Sequence, residues 1–252
     1  MSNEFSGAFT WLSDNSHLVK HDLYAHLEIS VESVAIALAI GLPLGLFLGH
    51  LHRFSFLAIN VSNIGRALPS LAVLAILLPF VGIGKTNVII ALVVLAFPPI
   101  LTNTYVAIDQ VDTDTVDAAK GLGMRPLQVL LRVEMPLALP LIFAGIRTSA
   151  VFVVATATLA GFFGGGGLGD IINNPESYGL VGIIGASYVL IVLAFLVQGV
   201  FVLLEIAVTP AGLRKNRGLR GLRRRQTQTL LDAGAADTER LDETSSQAEM
   251  TA

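Results

Sequence analysis

The stretch Asp117-Ala-Ala-Lys-Gly-Leu-Gly123, which is followed ten residues later by Val133-Glu-Met-Pro136, is a polar island between long apolar spans. Its neighbours reach the length of about 20 apolar residues that a bilayer-spanning helix needs, whereas the island is too polar to span. The segment 109–138 is also the only sizeable polar loop between apolar spans. We therefore expect a docking loop on a membrane-embedded protein.

Composition places the chain among membrane proteins. Of its 252 residues, 53% are hydrophobic and 14% are charged, and the mean hydropathy is +0.70. Soluble domains carry about 25% charged residues. In lipid the backbone must satisfy its hydrogen bonds internally, which favours helices. We predict an all-α integral membrane protein. The absence of cysteine excludes disulfides and thiolate metal sites.

The lengths of the apolar runs, and the residues that interrupt them, predict five transmembrane helices. They are about Ile29 to Gly49, Leu57 to Pro79, Asn87 to Ile108, Leu139 to Phe163 and Leu180 to Leu204.

Lysine and arginine are enriched in cytoplasmic loops, and their positions predict an orientation. One side of the five spans holds most of them, and the other side holds only Lys20 and Lys85. An extracytoplasmic N-terminus with the loop 109–138 and the C-terminus in the cytoplasm satisfies this bias. The basic residues in the predicted cytoplasmic loops and just after the last span are Arg53, Lys120, Arg125, Arg132, Arg214, Lys215, Arg217, Arg220, Arg223, Arg224 and Arg225.

The two ends of the chain differ from the membrane domain 29–210. Residues 1–28 lack the basic start and apolar centre of a cleavable signal, and we expect an extracytoplasmic or interfacial segment. Within it, the helical spacing of Val19, Leu23 and Leu27 predicts a short surface helix. Residues 211–252 are first basic and then acidic, which predicts a disordered cytoplasmic tail.

The polar island itself predicts two short helices joined at Gly123. Glycine permits the turn, and Asp112, Asp114 and Thr115 are candidates to cap the first helix. Ala118 and Ala119 are small enough for a second surface to approach closely. Arg125 adds a polar rim. These features favour a loop that fits a groove on a partner.

At these residues the chain resembles the "EAA" coupling loop of permease subunits of ABC importers. That consensus is Glu-Ala-Ala, three residues, Gly, nine residues and Ile-x-Leu-Pro, and both gaps match. The departures are Asp117, Val133 and Met135, each conservative in charge or shape. The resemblance implies contact with an ATPase through Asp117, Ala118, Ala119, Gly123, Met124, Arg125 and Pro136.

Six further motifs extend the resemblance over about Leu27 to Leu213, towards permeases of osmoprotectant importers for glycine betaine, carnitine or choline. They are RALPSLA from Arg66, LPFVGIGK from Leu78, PILTNTY from Pro99, AGIRT from Ala144, GGGGLGD from Gly164 and VTPxGL from Val208.

This resemblance implies the bundle of a type I ABC importer permease in the bacterial cytoplasmic membrane, working by alternating access. The implied partners are a cytoplasmic ABC ATPase dimer, a second permease that is identical or paralogous, an extracytoplasmic substrate-binding protein and membrane lipid, with no nucleic acid. The chain itself would be a transporter subunit without enzymatic activity or cofactor, since the partner ATPase uses the ATP. The alternatives are an importer for another small metabolite and, further away, a carrier or channel outside the ABC class.

Several local patterns imitate other sites. Gly84-Lys85-Thr86 resembles the end of a phosphate loop, but the required first glycine is Pro79. Gly164, Gly166 and Gly169 fit a dinucleotide fingerprint, yet they follow a membrane span, and we expect a tight re-entry there.

Three other features have structural explanations. The spacing of Gly41, Gly45 and Gly49 predicts a flat strip for helix packing. Arg66 and Arg147, near or within spans, are interpreted as structural, because arginine would repel a cationic cargo. His17 and His21 are too few for a secure metal site. No substrate-binding residue is assigned.

Overall fold

The computed structural model describes residues 2–51, 56, 60, 63, 65 and 67–209. Every regular element in these residues is helical. The chain divides into the units Met1–Val208 and Thr209–Ala252. Of the second unit only Thr209 is described, and the predicted tail 211–252 therefore lies outside the described residues.

Nine α-helices are described in this part of the chain, together with one π-helix and one 3-10 helix. They are α1 (Ser2–Asp14), α2 (Ser16–His50), α3 (Ser70–Val81), α4 (Lys85–Asp109), α5 (Thr113–Gly121), α6 (Pro126–Val129), the π-helix Leu130–Glu134, α7 (Met135–Thr156), the 3-10 helix Ala157–Phe163, α8 (Leu168–Ile172) and α9 (Pro175–Val208).

Four helical stretches in the described residues are long and apolar enough to cross a membrane, namely Ser16–His50, Lys85–Asp109, Pro126–Phe163 and Pro175–Val208. They correspond to the first, third, fourth and fifth predicted spans. For the second span, the described helix is the shorter α3, which begins after an extended Pro69. The count of five and the orientation stay predictions.

The N-terminal region differs from the expected surface helix. Val19, Leu23 and Leu27 belong to α2, a single helix that continues into the first span, so the separate short helix is wrong. The structure instead has α1, which packs on α9: Phe9 stacks on Tyr188, and Trp11 meets Tyr178 edge-on with ring centroids 6.2 Å apart.

The predicted glycine strip packs α2 against α4. A Cβ atom added at Gly45 would lie 2.6 Å from Cβ of Thr104, and one at Gly49 would lie 2.7 Å from Cβ of Ile108. Side chains at these positions would force the helices apart, whereas glycine lets the backbones approach. The most extensive helix–helix contact in the described chain is consequently the one between α2 and α4.

Three apolar clusters form the core of the described residues. The first joins α2, α3, α4 and α7 with the 3-10 helix around Leu92, Ile100 and Val153. The second joins the end of α4 to α5, α6 and α7 around Ile108, Val116 and Val129. The third joins α2, α8 and α9 around Leu168 and Ile171. The second cluster fixes the polar island to the end of the bundle.

Candidate functional site

The segment 109–138 folds as the sequence predicts into helices on either side of Gly123. Asp112 caps α5: its Oδ1 accepts hydrogen bonds from the backbone N–H groups of Asp114 at 2.8 Å and Thr115 at 3.4 Å. Gly123 has φ +81°, a conformation that favours glycine, and its N–H donates to the carbonyl of Lys120 at 2.9 Å. These contacts define the turn.

The second half of the segment begins with Pro126 at the first position of α6, where a missing N–H is tolerated. The side-chain oxygen of Gln128 accepts a hydrogen bond from the backbone N–H of Arg125 at 2.8 Å. The chain then widens into the π-helix Leu130–Glu134 and enters α7. Single π turns inside helices occur frequently at functional sites.

The residues that the motif singles out do not all lie on the surface. Asp117, Ala118, Gly123 and Arg125 are exposed, and Ala119 is buried in the second core cluster. Of the two motif alanines, only Ala118 is therefore open to a partner. Met124 and Pro136 are half-buried.

Two leucines, which sequence reasoning missed, stand out from this polar surface. Leu122 at the turn is 81% exposed, and Leu127 on α6 is 64% exposed. Burial of such a leucine side chain against a partner is favourable, because it removes apolar surface from water. The exposed face of the segment thus combines apolar projections with the ion pair between Lys120 and Asp117, whose nitrogen and oxygen lie 3.1 Å apart.

Beneath this surface, the end of α2 contacts the π-helix. Nδ1 of His50 lies 2.7 Å from Oε2 of Glu134, and the Glu134 side chain is fully buried. Between α5, α6 and these two residues is a cavity of about 180 Å³, also lined by Lys120 and Met124. The pair is 84 residues apart in sequence, and no local signal predicts it.

Near the middle of α2, Lys85 of α4 lies between two glutamates. Its Nζ donates to Oε1 of Glu28 at 2.9 Å and to Oε1 of Glu32 at 3.1 Å. Lys85 is thus held by carboxylates, and Gly84 is the N-cap residue of α4.

The glycine-rich stretch 164–169 forms a tight turn that leads into α8 at Leu168. Gly164 is left-handed, and a Cβ on Gly169 would clash with the carbonyl oxygen of Thr158. Asp170 follows in α8. Burial and the neighbouring charge of Asp22 raise the pKa of Asp170 above its ordinary value.

Arg147 and His21, which the sequence analysis singled out, both contact a carboxylate. Arg147 pairs with Glu205 at 3.0 Å, and Arg66 lies outside the described residues. His21 contacts Asp22 at 3.1 Å. Among the described residues, no group of three or more histidine, aspartate or glutamate side chains is arranged to hold a metal ion.

Comparison with known proteins identifies this architecture. Residues 41–209 match the family model described as binding-protein-dependent transport system inner membrane component. The chain is 38% identical to the choline transport system permease protein of Bacillus subtilis, over 83% of this chain and 97% of that one. It is 37% identical to the carnitine transport permease protein of Listeria monocytogenes, over 82% and 96% of the two chains.

The fold is shared with a solved structure of a methionine ABC transporter. The TM-score is 0.70 at 24% identity, and the match covers 77% of this chain and 98% of that one. Both predicted resemblances are confirmed, that to ABC importer permeases and that to osmoprotectant permeases. The chain belongs to the family of binding-protein-dependent transport system inner membrane components, and it is a multi-pass permease subunit.

Proposed function

We propose that this permease takes up quaternary ammonium osmoprotectants such as glycine betaine, choline or carnitine. The observation that carries the proposal is the identity of 37% to 39% over more than four-fifths of the chain with permeases named for choline, carnitine and glycine betaine transport. Cargo would arrive on an extracytoplasmic binding protein and cross by alternating access between two permease protomers.

We further propose that a cytoplasmic ATPase dimer docks on the exposed face of segment 109–138. The contacts are assigned to Asp117, Ala118, Gly123, Met124, Arg125 and Pro136, with Ala119 supporting the surface from beneath. Support comes from the capped helix α5, which ends at the turn of Gly123, and from the exposed side chain of Leu122. Protein–protein contacts usually have apolar side chains at the centre and polar residues around them. The permease itself supplies no catalytic group or cofactor.

The cargo is tested by purifying the tagged chain from its native membrane and reconstituting the co-purified complex in proteoliposomes. We expect ATP-dependent accumulation of glycine betaine, choline or carnitine, and none of methionine. If methionine or another metabolite accumulated and none of these three compounds did, the cargo assignment would be wrong. Uptake that persists without the ATPase would contradict the importer mechanism.

The docking face is tested by cross-linking, which is simple because the chain has no cysteine. We expect Leu122→Cys to cross-link to the ATPase. Tyr24→Cys is the matched control, since Tyr24 is also highly exposed but lies near the other end of α2, roughly 39 Å from His50 along the helix. Cross-linking from Tyr24 and not from Leu122 would contradict the proposed docking.

A further inference from the structure

The contact between His50 and Glu134 places a buried carboxylate at the edge of the membrane bundle. Glu134 is 0% exposed, and its second oxygen, Oε1, is buried without a hydrogen-bond partner among the described residues. A buried carboxylate is strongly unfavourable unless a partner compensates it. In the described chain, the imidazole of His50 is the group that does so.

His50 is the last residue of a rigid helix pair. It follows Gly49, whose backbone approaches Ile108 of α4, and it ends the glycine strip that holds α2 against α4. A displacement of the His50 backbone therefore displaces the ends of both α2 and α4.

Glu134 occupies the corresponding position on the other side of the contact. It is the last residue of the π-helix and directly precedes α7. Val129, one turn earlier, is fully buried in the cluster that also holds Val116 of α5. Glu134 thus moves with the segment 109–138 and with the start of α7.

Packing around this contact is incomplete. The cavity of about 180 Å³ separates Lys120 and Met124 from His50 and Glu134. Protein interiors are normally close-packed and transmit displacement through contact. Where a void replaces part of that contact, a hydrogen bond beside the void has a correspondingly larger mechanical role.

We propose that His50 and Glu134 form a positioning latch that keeps segment 109–138 in register with α2 and α4. Displacement of the segment by the ATPase is then passed to both helices through this contact. The inference rests on the proposed docking of the ATPase. Neither residue contacts ATP or cargo, so the latch affects coupling rather than chemistry or recognition.

The decisive variant is the double substitution His50→Leu with Glu134→Met. Replacing both members of a buried polar pair by apolar side chains of similar size is often neutral for stability. We expect wild-type assembly and melting temperature, but about a tenfold loss in cargo transported per ATP hydrolysed, the factor that corresponds to one hydrogen bond to a charged group. Glycine betaine is the transported probe.

Two single variants separate geometry from stability. His50→Asn keeps a side-chain nitrogen near the position of Nδ1, and we expect it to retain most of the coupling, whereas His50→Ala loses it. Ser149→Ala is the matched control, because it removes a buried hydrogen bond of 3.2 Å from Ser149 Oγ to the carbonyl of Ala96 that lies outside the segment. Its coupling should equal that of the wild type.

The outcomes distinguish the latch from the proposed function. If wild-type complex shows no ATP-dependent uptake, the docking proposal and the latch both fail. If the wild type couples and the double variant transports as much cargo per ATP, only the latch is overturned. Should the double variant not assemble, equal coupling in His50→Ala and His50→Asn overturns it.

Discussion

Arg147 on α7 donates a hydrogen bond from Nη1 to Oε2 of Glu205 on α9 at 3.0 Å. The side chains are 27% and 12% exposed. Charged groups within membrane spans are costly unless they are paired, and this contact explains how Arg147 is accommodated. The interpretation of Arg147 as structural is consistent with this pairing to a carboxylate.

Removing the carboxylate should therefore destabilise the bundle. We expect Glu205→Gln to lower the free energy of unfolding by about 2 kcal/mol, less than for a fully buried pair because both side chains are partly exposed. Thermal unfolding in detergent measures the change. Arg147→Glu should lower the free energy of unfolding further. The exchange of both residues, Arg147→Glu with Glu205→Arg, should recover part of that loss. No recovery in the exchange would show that the ion pair is not the stabilising contact.

The glycine strip predicts a second effect on stability. A methyl group at Gly45 would lie 2.6 Å from Cβ of Thr104 and 2.9 Å from the carbonyl oxygen of Leu101. We expect Gly45→Ala to destabilise by about 1–3 kcal/mol through overpacking. Gly199→Ala on α9 is the control, since nothing lies within 4 Å of the added carbon. Equal melting temperatures for the two variants would contradict the close approach of α2 and α4.

The turn of the docking segment depends on one backbone conformation. Gly123→Ala should destabilise the segment by about 1 kcal/mol, because a side chain is disfavoured at φ +81°. Gly121→Ala, in the last turn of α5 and equally free of neighbours, should be neutral or slightly stabilising. Amide hydrogen exchange of residues 113–129 resolves the difference. Faster exchange in Gly121→Ala than in Gly123→Ala would refute the assignment of the turn.

Asp170 predicts a dependence of stability on pH. Burial and Asp22 raise the pKa of Asp170, so the folded state holds the proton more tightly than the unfolded state. Loss of the proton therefore destabilises the fold as the pH rises through the interval between the two pKa values. Asp170→Asn should raise the melting temperature at pH 7 and have no effect below about pH 3, where both states are protonated.

Asp14→Asn is the control for the change in net charge in that experiment, because Asp14 is exposed at the end of α1. A stabilisation of the same size in this variant would mean that general electrostatics, and not the surroundings of Asp170, is responsible.

The sequence predicted those features that depend on neighbours along the chain. Long apolar runs predicted the helices, because length and composition alone decide whether a segment can span a bilayer. Asp112, one of three candidate caps, and Gly123 predicted the cap and the turn of the docking segment, since both effects act within a few residues. The spacing around Asp117 and Gly123 indicated the family before any fold was known.

Tertiary structure decided the contacts between residues distant in sequence. Nothing local indicates that His50 meets Glu134 or that Arg147 meets Glu205, and only the fold shows that Ala119 faces the core while Ala118 faces outward. The physical reason is that helix formation follows from short-range hydrogen bonds and spacing, whereas the partner of a buried charge is set by which helix faces pack together. That choice depends on the whole bundle at once.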